Sequence, residues 1–150
     1  MRVKTKNNQQ GFTIVELLIV IVVIGILAAI TIVAYNGIQN RGKAAAAQSL
    51  ANAVAKKAEA YNTVSTTGAY PAAVANFAEY TESKLDDTSV VVTTVPTASA
   101  NTDKVSYKKC TTGAQITYWN LSVGKAIAIG LGGQASTAAD GSGTTATLCT

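Results

Sequence analysis

The chain contains no histidine, and only two cysteines, two prolines, one methionine and one tryptophan occur among its 150 residues. Without an imidazole the side chain best suited to general acid–base work at neutral pH is missing, and so is the commonest metal ligand. Two unclustered cysteines do not make a zinc site. No nucleophile–base pair and no phosphate-binding loop can be read anywhere, so the sequence gives no reason to expect an enzyme, a metal or a cofactor. Internal repeats are absent too. What remains is one domain of ordinary size whose apolar residues, 48% of the total, are unevenly spread. Residues 12–35 hold a large share of the Ile, Leu and Val, while the rest is rich in Ala, Thr, Ser and Gly. That remainder can build only a small core, and a small core needs extra support.

A basic surface is missing as well, despite a formal charge of +4. Arg2, Lys4 and Lys6 account for three of the twelve basic residues, which leaves nine against eight acidic ones over residues 12–150. The charge belongs to the N-terminal tail, so nucleic acid is a possible partner without support. Lys56-Lys57 and Lys108-Lys109 read as solvated faces before they read as phosphate contacts. Asp86-Asp87 reads as a turn, and Trp119 with Tyr118 as core packing. The sequon Asn120-Leu121-Ser122 has a strand context that argues against its use.

Residues 17–34 are apolar except for Thr31. As a helix they span about 27 Å, close to the hydrocarbon thickness of a bilayer. A secretory signal has a shorter apolar region, roughly 7–15 residues, and a prompt small-residue cleavage site. Here Ala28 and Ala29 lie inside the run. The basic flank places the N-terminus on the cytoplasmic side. One carboxylate, Glu16, sits near the start of the run. It suits the first turn of a helix, where the macrodipole favours negative charge, and at a membrane edge it reaches water.

The helical pattern continues beyond Tyr35. Ala47, Leu50, Val54, Ala58 and Tyr61 recur at steps of three and four, the spacing of one helix face. Gly37 and Gly42 weaken the junction, but no proline breaks it. The pattern predicts one helix over residues 12 to about 62, roughly 75 Å long, apolar all round in its first half and amphipathic in its second. Residues 63–71 form a loop, and Pro71 suits the start of a short helix through residue 84. From Ser89 the segments SVVVTTV, KVSYKKC, QITYWNL and GKAIAIGL read as strands. The expected fold class is α+β, with the long helix packed against a small antiparallel sheet. The low-complexity tail after Leu131 ends near Cys149. If the apolar run directs export, Cys110 and Cys149 meet an oxidising compartment and have only each other to bridge. Such a bridge encloses 38 residues, and loop-closure entropy values it at roughly 4 kcal/mol. In a reducing compartment the same residues are two free thiols.

Gly11-Phe12-Thr13-Ile14-Val15-Glu16-Leu17-Leu18 followed by IVIVVIGILAAI resembles the class III signal and N-terminal helix of type IV pilins. The resemblance runs closely from Gln10 to Tyr35; beyond it, only the layout of helix, loop, sheet and C-terminal cysteines is similar. It implies three regions: a cleaved leader over residues 1–11, an apolar transmembrane or filament-core half over 12–35, and a globular head over 36–150. It implies that prepilin peptidase cuts between Gly11 and Phe12 and that the new amine of Phe12 is N-methylated. Glu16 is then an assembly residue, its carboxylate offset by the Phe12 amine of a neighbouring subunit. Cys110 and Cys149 become a disulfide closing a C-terminal loop. The implied partners are other pilin subunits, the peptidase, the pilus assembly machinery and the inner membrane, and the implied destination is an extracellular fibre serving adhesion, motility or DNA uptake. Other readings of the same N-terminus are a pseudopilin of a type II secretion system and a minor pilin with a binding head. A signal-anchored envelope protein that never polymerises leaves the Gly-Phe and Glu spacing unexplained. Gly25 matches the family pattern, but Val33 stands where many members carry proline. Ile30, Thr31, Ile32 and Val33 all keep a backbone donor, so the helix is expected to be less disrupted after Gly25 than in those members.

Overall fold

The structure is a computed structural model that describes residues 11–134 and, for the backbone alone, 137–138. The chain divides into two compact units, residues 1–37 and 38–150. The elements are α1 (Ile14–Val64), a 3₁₀ turn (Val74–Ala78), β1 (Val91–Val92), β2 (Val105–Lys109), β3 (Ala114–Asn120), β4 (Lys125–Leu131) and β5 (Thr137–Ala138). The long helix is therefore present, starting and ending about two residues later than its periodicity suggested.

Within the first unit α1 buries nothing: every described side chain there is exposed. Backbone hydrogen bonding continues through Gly25 and through the β-branched run Ile30–Val33. Thr31 contributes by donating its hydroxyl to the Ala28 carbonyl at 3.0 Å, a bond open to threonine within a helix.

In the second unit the same helix becomes one-sided. Ala44, Ala47, Ala51, Val54, Ala55, Ala58 and Tyr61 are buried. Five of these seven are alanine, so α1 presents a narrow stripe of small side chains to the sheet. Leu50, expected on this face, is only half-buried, while Ala51 and Ala55 fill it. Facing them are Val105 and Tyr107 of β2, Ala114, Ile116 and Tyr118 of β3, and Leu131 of β4. Alternation along β3 sends Gln115, Thr117 and Trp119 to the other side of the sheet, where they too are buried. Tyr118 and Trp119 are thus both packed, but on opposite faces.

The sheet has five strands in sequence order, and one expectation fails. β2, β3, β4 and β5 are antiparallel, but β1 runs parallel to β2, with Val91 opposite Val105. A parallel pair needs a connection of about a dozen residues to bring the chain back to the same end. Residues 93–104 supply it, closing a small bridge between Thr97 and Ala100 on the way. The short helix after Pro71 is also less than expected, a 3₁₀ turn of five residues. Its chief contribution is Phe77, which is fully buried and meets the Tyr107 ring edge-on at 5.0 Å.

Candidate functional site

Helix α1 begins on a reciprocal pair of hydrogen bonds. The Thr13 hydroxyl accepts from the Glu16 amide at 3.2 Å, and the Glu16 carboxylate accepts from the Thr13 amide at 2.9 Å. The Thr13 hydroxyl also donates to that carboxylate at 2.6 Å. This is a capping box, which satisfies helix-end amides that have no partner in the preceding turn. The signal, Thr-x-x-Glu ahead of an apolar run, was present in the sequence, and a reading that gave Glu16 to the helix dipole and to assembly passed over Thr13. Both bonds to the carboxylate land on Oε2, so Oε1 is left to a donor from elsewhere.

Just before the box, Gly11 and Phe12 lie outside the helix and are exposed, Phe12 by 81%. A methyl group built on Gly11 would meet nothing within 4 Å. Packing therefore does not require glycine at this position. Arg2, Lys4, Lys6 and Gln10 lie outside the described residues. After the box, Leu17, Leu18, Ile21, Ile24, Leu27, Ile30 and Val33 are each more than half exposed and cover the helix on all sides. In water that surface is unfavourable by about 25 cal/mol per Å², so it needs lipid or other apolar helices around it.

The remaining predicted positions belong to the head. Cys110 follows β2 and is not a free thiol, while Cys149 lies outside the described residues. The Cys110 amide donates to the Gly113 carbonyl at 2.8 Å, closing the turn into β3. Lys57 donates to the Glu82 carbonyl at 3.1 Å. Asp87 accepts from the Ser89 amide at 2.8 Å, the turn that the sequence suggested, and the Ser89 side chain together with this amide holds its carboxyl below the usual carboxylate range. Asn120 is the last residue of β3, and its side chain accepts from the Ser122 amide at 2.9 Å. The sequon therefore starts at the end of β3 and runs into the hairpin turn.

A family model described as the prokaryotic N-terminal methylation motif matches residues 6–32. The chain is similar to the type IV major fimbrial protein FimA of Dichelobacter nodosus, with 53% identity over 47 residues. A fimbrial protein of the same organism matches with the same identity over the same length. Each match takes in 31% of this chain and 29% of the relative, so the likeness is confined to less than a third of either. No solved structure matches the chain. The N-terminal segment of the chain thus carries the methylation motif and is similar to the same part of type IV fimbrial proteins.

Proposed function

We propose that the chain is the structural subunit of a type IV pilus, held in the membrane by the first half of α1 and polymerised through it. One observation carries the reading furthest: an apolar helix exposed on every side opens on a carboxylate already oriented by its own cap. A lone membrane anchor gains only a capped helix start from that carboxylate, against the cost of a charge near lipid. A filament subunit gains a register contact.

The sequence of events follows from the chemistry. Prepilin peptidase cuts between Gly11 and Phe12, where the backbone is outside the helix and unobstructed. The cut releases a new amine on Phe12, which is then methylated. When subunits assemble, the Phe12 amine of one meets the Glu16 carboxylate of the next. Thr13 occupies Oε2, and Oε1 receives the ammonium. A buried carboxylate without a cation costs several kcal/mol, so assembly in any other register is penalised. The head, near neutral in charge, remains outside the membrane and becomes the fibre surface. A disulfide between Cys110 and Cys149 supports its small core.

The intact mass and N-terminal sequence of the mature protein test the processing step. A chain beginning at Phe12 with one added methyl group is expected; a start at Met1, or after Ala29, overturns the proposal. Glu16→Gln tests the assembly step, because glutamine keeps a capping acceptor and loses the charge. The variant should be processed and membrane-resident yet give few fibres. Fibres at the wild-type level would remove the salt bridge from the account.

A further inference from the structure

After α1, Val123 is the one large apolar side chain that is well exposed among the described residues, at 58%. It sits at the tip of the β3–β4 hairpin, which Asn120 holds in shape through the Ser122 and Val123 amides. Gly124 closes the turn at φ +65°, and the exposed Lys125 follows immediately. The tip is thus an apolar knob with a cation beside it, held by its own hydrogen bonds.

A groove of opposite character lies in the same unit. Leu50 and Val54 of α1 form one wall, and Leu85 with Val90, ahead of β1, the other, enclosing about 170 Å³. An apolar cavity of about 150 Å³ is large enough to hold benzene, so a branched aliphatic side chain fits. Leu50, Leu85 and Val90 are each only half-buried, which leaves apolar surface for an occupant to cover. Two exposed carboxylates, Asp86 and Asp87, line the rim, together with Lys57, whose ammonium donates to the Glu82 carbonyl at 3.1 Å.

We propose that the Val123 tip of one copy seats in this groove of a second copy, with Lys125 facing Asp86 and Asp87. Three features select the occupant: apolar knob against apolar groove, cation against carboxylates, and the positions of the two patches in the sheet. The groove adjoins β1, an edge strand, whereas the tip joins the third and fourth strands. A contact between two different patches is heterologous, and when its rotation does not close a ring it propagates into an open filament. The inference rests on the reading of the chain as a filament subunit, and it adds a head-to-head contact to the one made by the apolar helices.

The test uses fibres of the full processed protein. In Val123→Cys/Leu85→Cys fibres every contact brings two introduced thiols together, so mild oxidation should yield a ladder of covalent multimers. Fibres carrying either cysteine alone should stay monomeric, since each contact then holds one introduced thiol. A second pair, wholly on exposed residues, does not depend on repacking. Lys125→Glu should lower fibre recovery after shearing about twofold to fivefold, the range for a rim ion pair, and adding Asp86→Lys should restore it. Double-cysteine fibres that stay monomeric, or a charge swap that fails to rescue, overturn the docking while leaving the subunit reading intact. If wild-type protein gives no fibres, both readings fall together.

Discussion

Under the proposed assembly Glu16 has two tasks, and its two oxygens divide them. Oε2 caps α1 through Thr13, so the carboxylate has a fixed position before any neighbour arrives. Thr13→Ala should cost the helix start about 1 kcal/mol, the usual value of an N-cap. It should also free the carboxylate to rotate and so reduce fibre yield. Thr13→Ser keeps the hydroxyl and should restore both, as measured by helicity of the solubilised protein and by sheared fibre. A serine variant that stays as poor as the alanine one would mean the methyl group, not the cap, matters. Two glycines in the head carry a different constraint. A Cβ on Gly113 would lie 2.0 Å from the Leu131 carbonyl oxygen, and one on Gly132 would lie 2.7 Å from the Tyr70 ring. Gly132 also has φ +63°, a backbone region where side chains are strained. Gly113→Ala should therefore destabilise the head by about 3 kcal/mol, the upper end of ordinary overpacking, because a backbone oxygen cannot yield as a side chain can. Chemical denaturation followed by Trp119 fluorescence measures the loss.

The segment between α1 and β1 has little regular structure, and phenol groups hold it in place. Tyr61 donates to Glu79 at 2.6 Å, Tyr70 to Glu59 at 2.8 Å, and Tyr107 to the Pro71 carbonyl at 2.8 Å. The bond to Glu79 raises the Tyr61 pKa to about 12, and burial together with Glu59 raises that of Tyr70 to about 12. Burial pushes Tyr107 up as well. In each case the fold favours the protonated phenol. The stabilisation is complete below the ordinary tyrosine pKa of 10.0 and is lost as pH rises toward about 12. The midpoint of denaturation should thus fall over that range, and Tyr61→Phe or Tyr70→Phe should flatten the fall while costing about 1 kcal/mol at neutral pH. An unchanged slope in the double variant would place the alkaline sensitivity elsewhere. None of these pairs is visible in one dimension. Helix α1 and strands β2, β3 and β4 were legible because their periodicities are properties of consecutive residues. The strand at β1 was legible too, but its parallel pairing and the shortening of the helix after Pro71 to a 3₁₀ turn were not, since each depends on where residues 93–104 and the Phe77 ring find room. Thr13 was legible and was missed because the helix dipole and the implied assembly contact already accounted for the Glu16 carboxylate.

At the scale of the whole chain, two environments meet in one helix. Its first half exposes apolar surface on every side, and its second half buries a stripe of alanines against the sheet. The head must therefore be stable by itself, and its core is modest: Phe77, Ile116, Val54 and Val105 are its largest fully buried apolar side chains apart from two prolines. Each contributes about 1.5–3 kcal/mol of burial, against an entropy cost of similar total size. A cross-link matters most in such a balance. If Cys110 and Cys149 are bridged, replacing either residue with serine removes the same constraint and should cost roughly 4 kcal/mol. Replacing both should cost no more than replacing one, because the second substitution has no bridge left to break. The lone tryptophan, Trp119, is buried in the head and reports the transition without interference from the apolar helix. Two unequal losses that add in the double variant would mean the thiols act separately, and the support for the small core would have to come from packing alone.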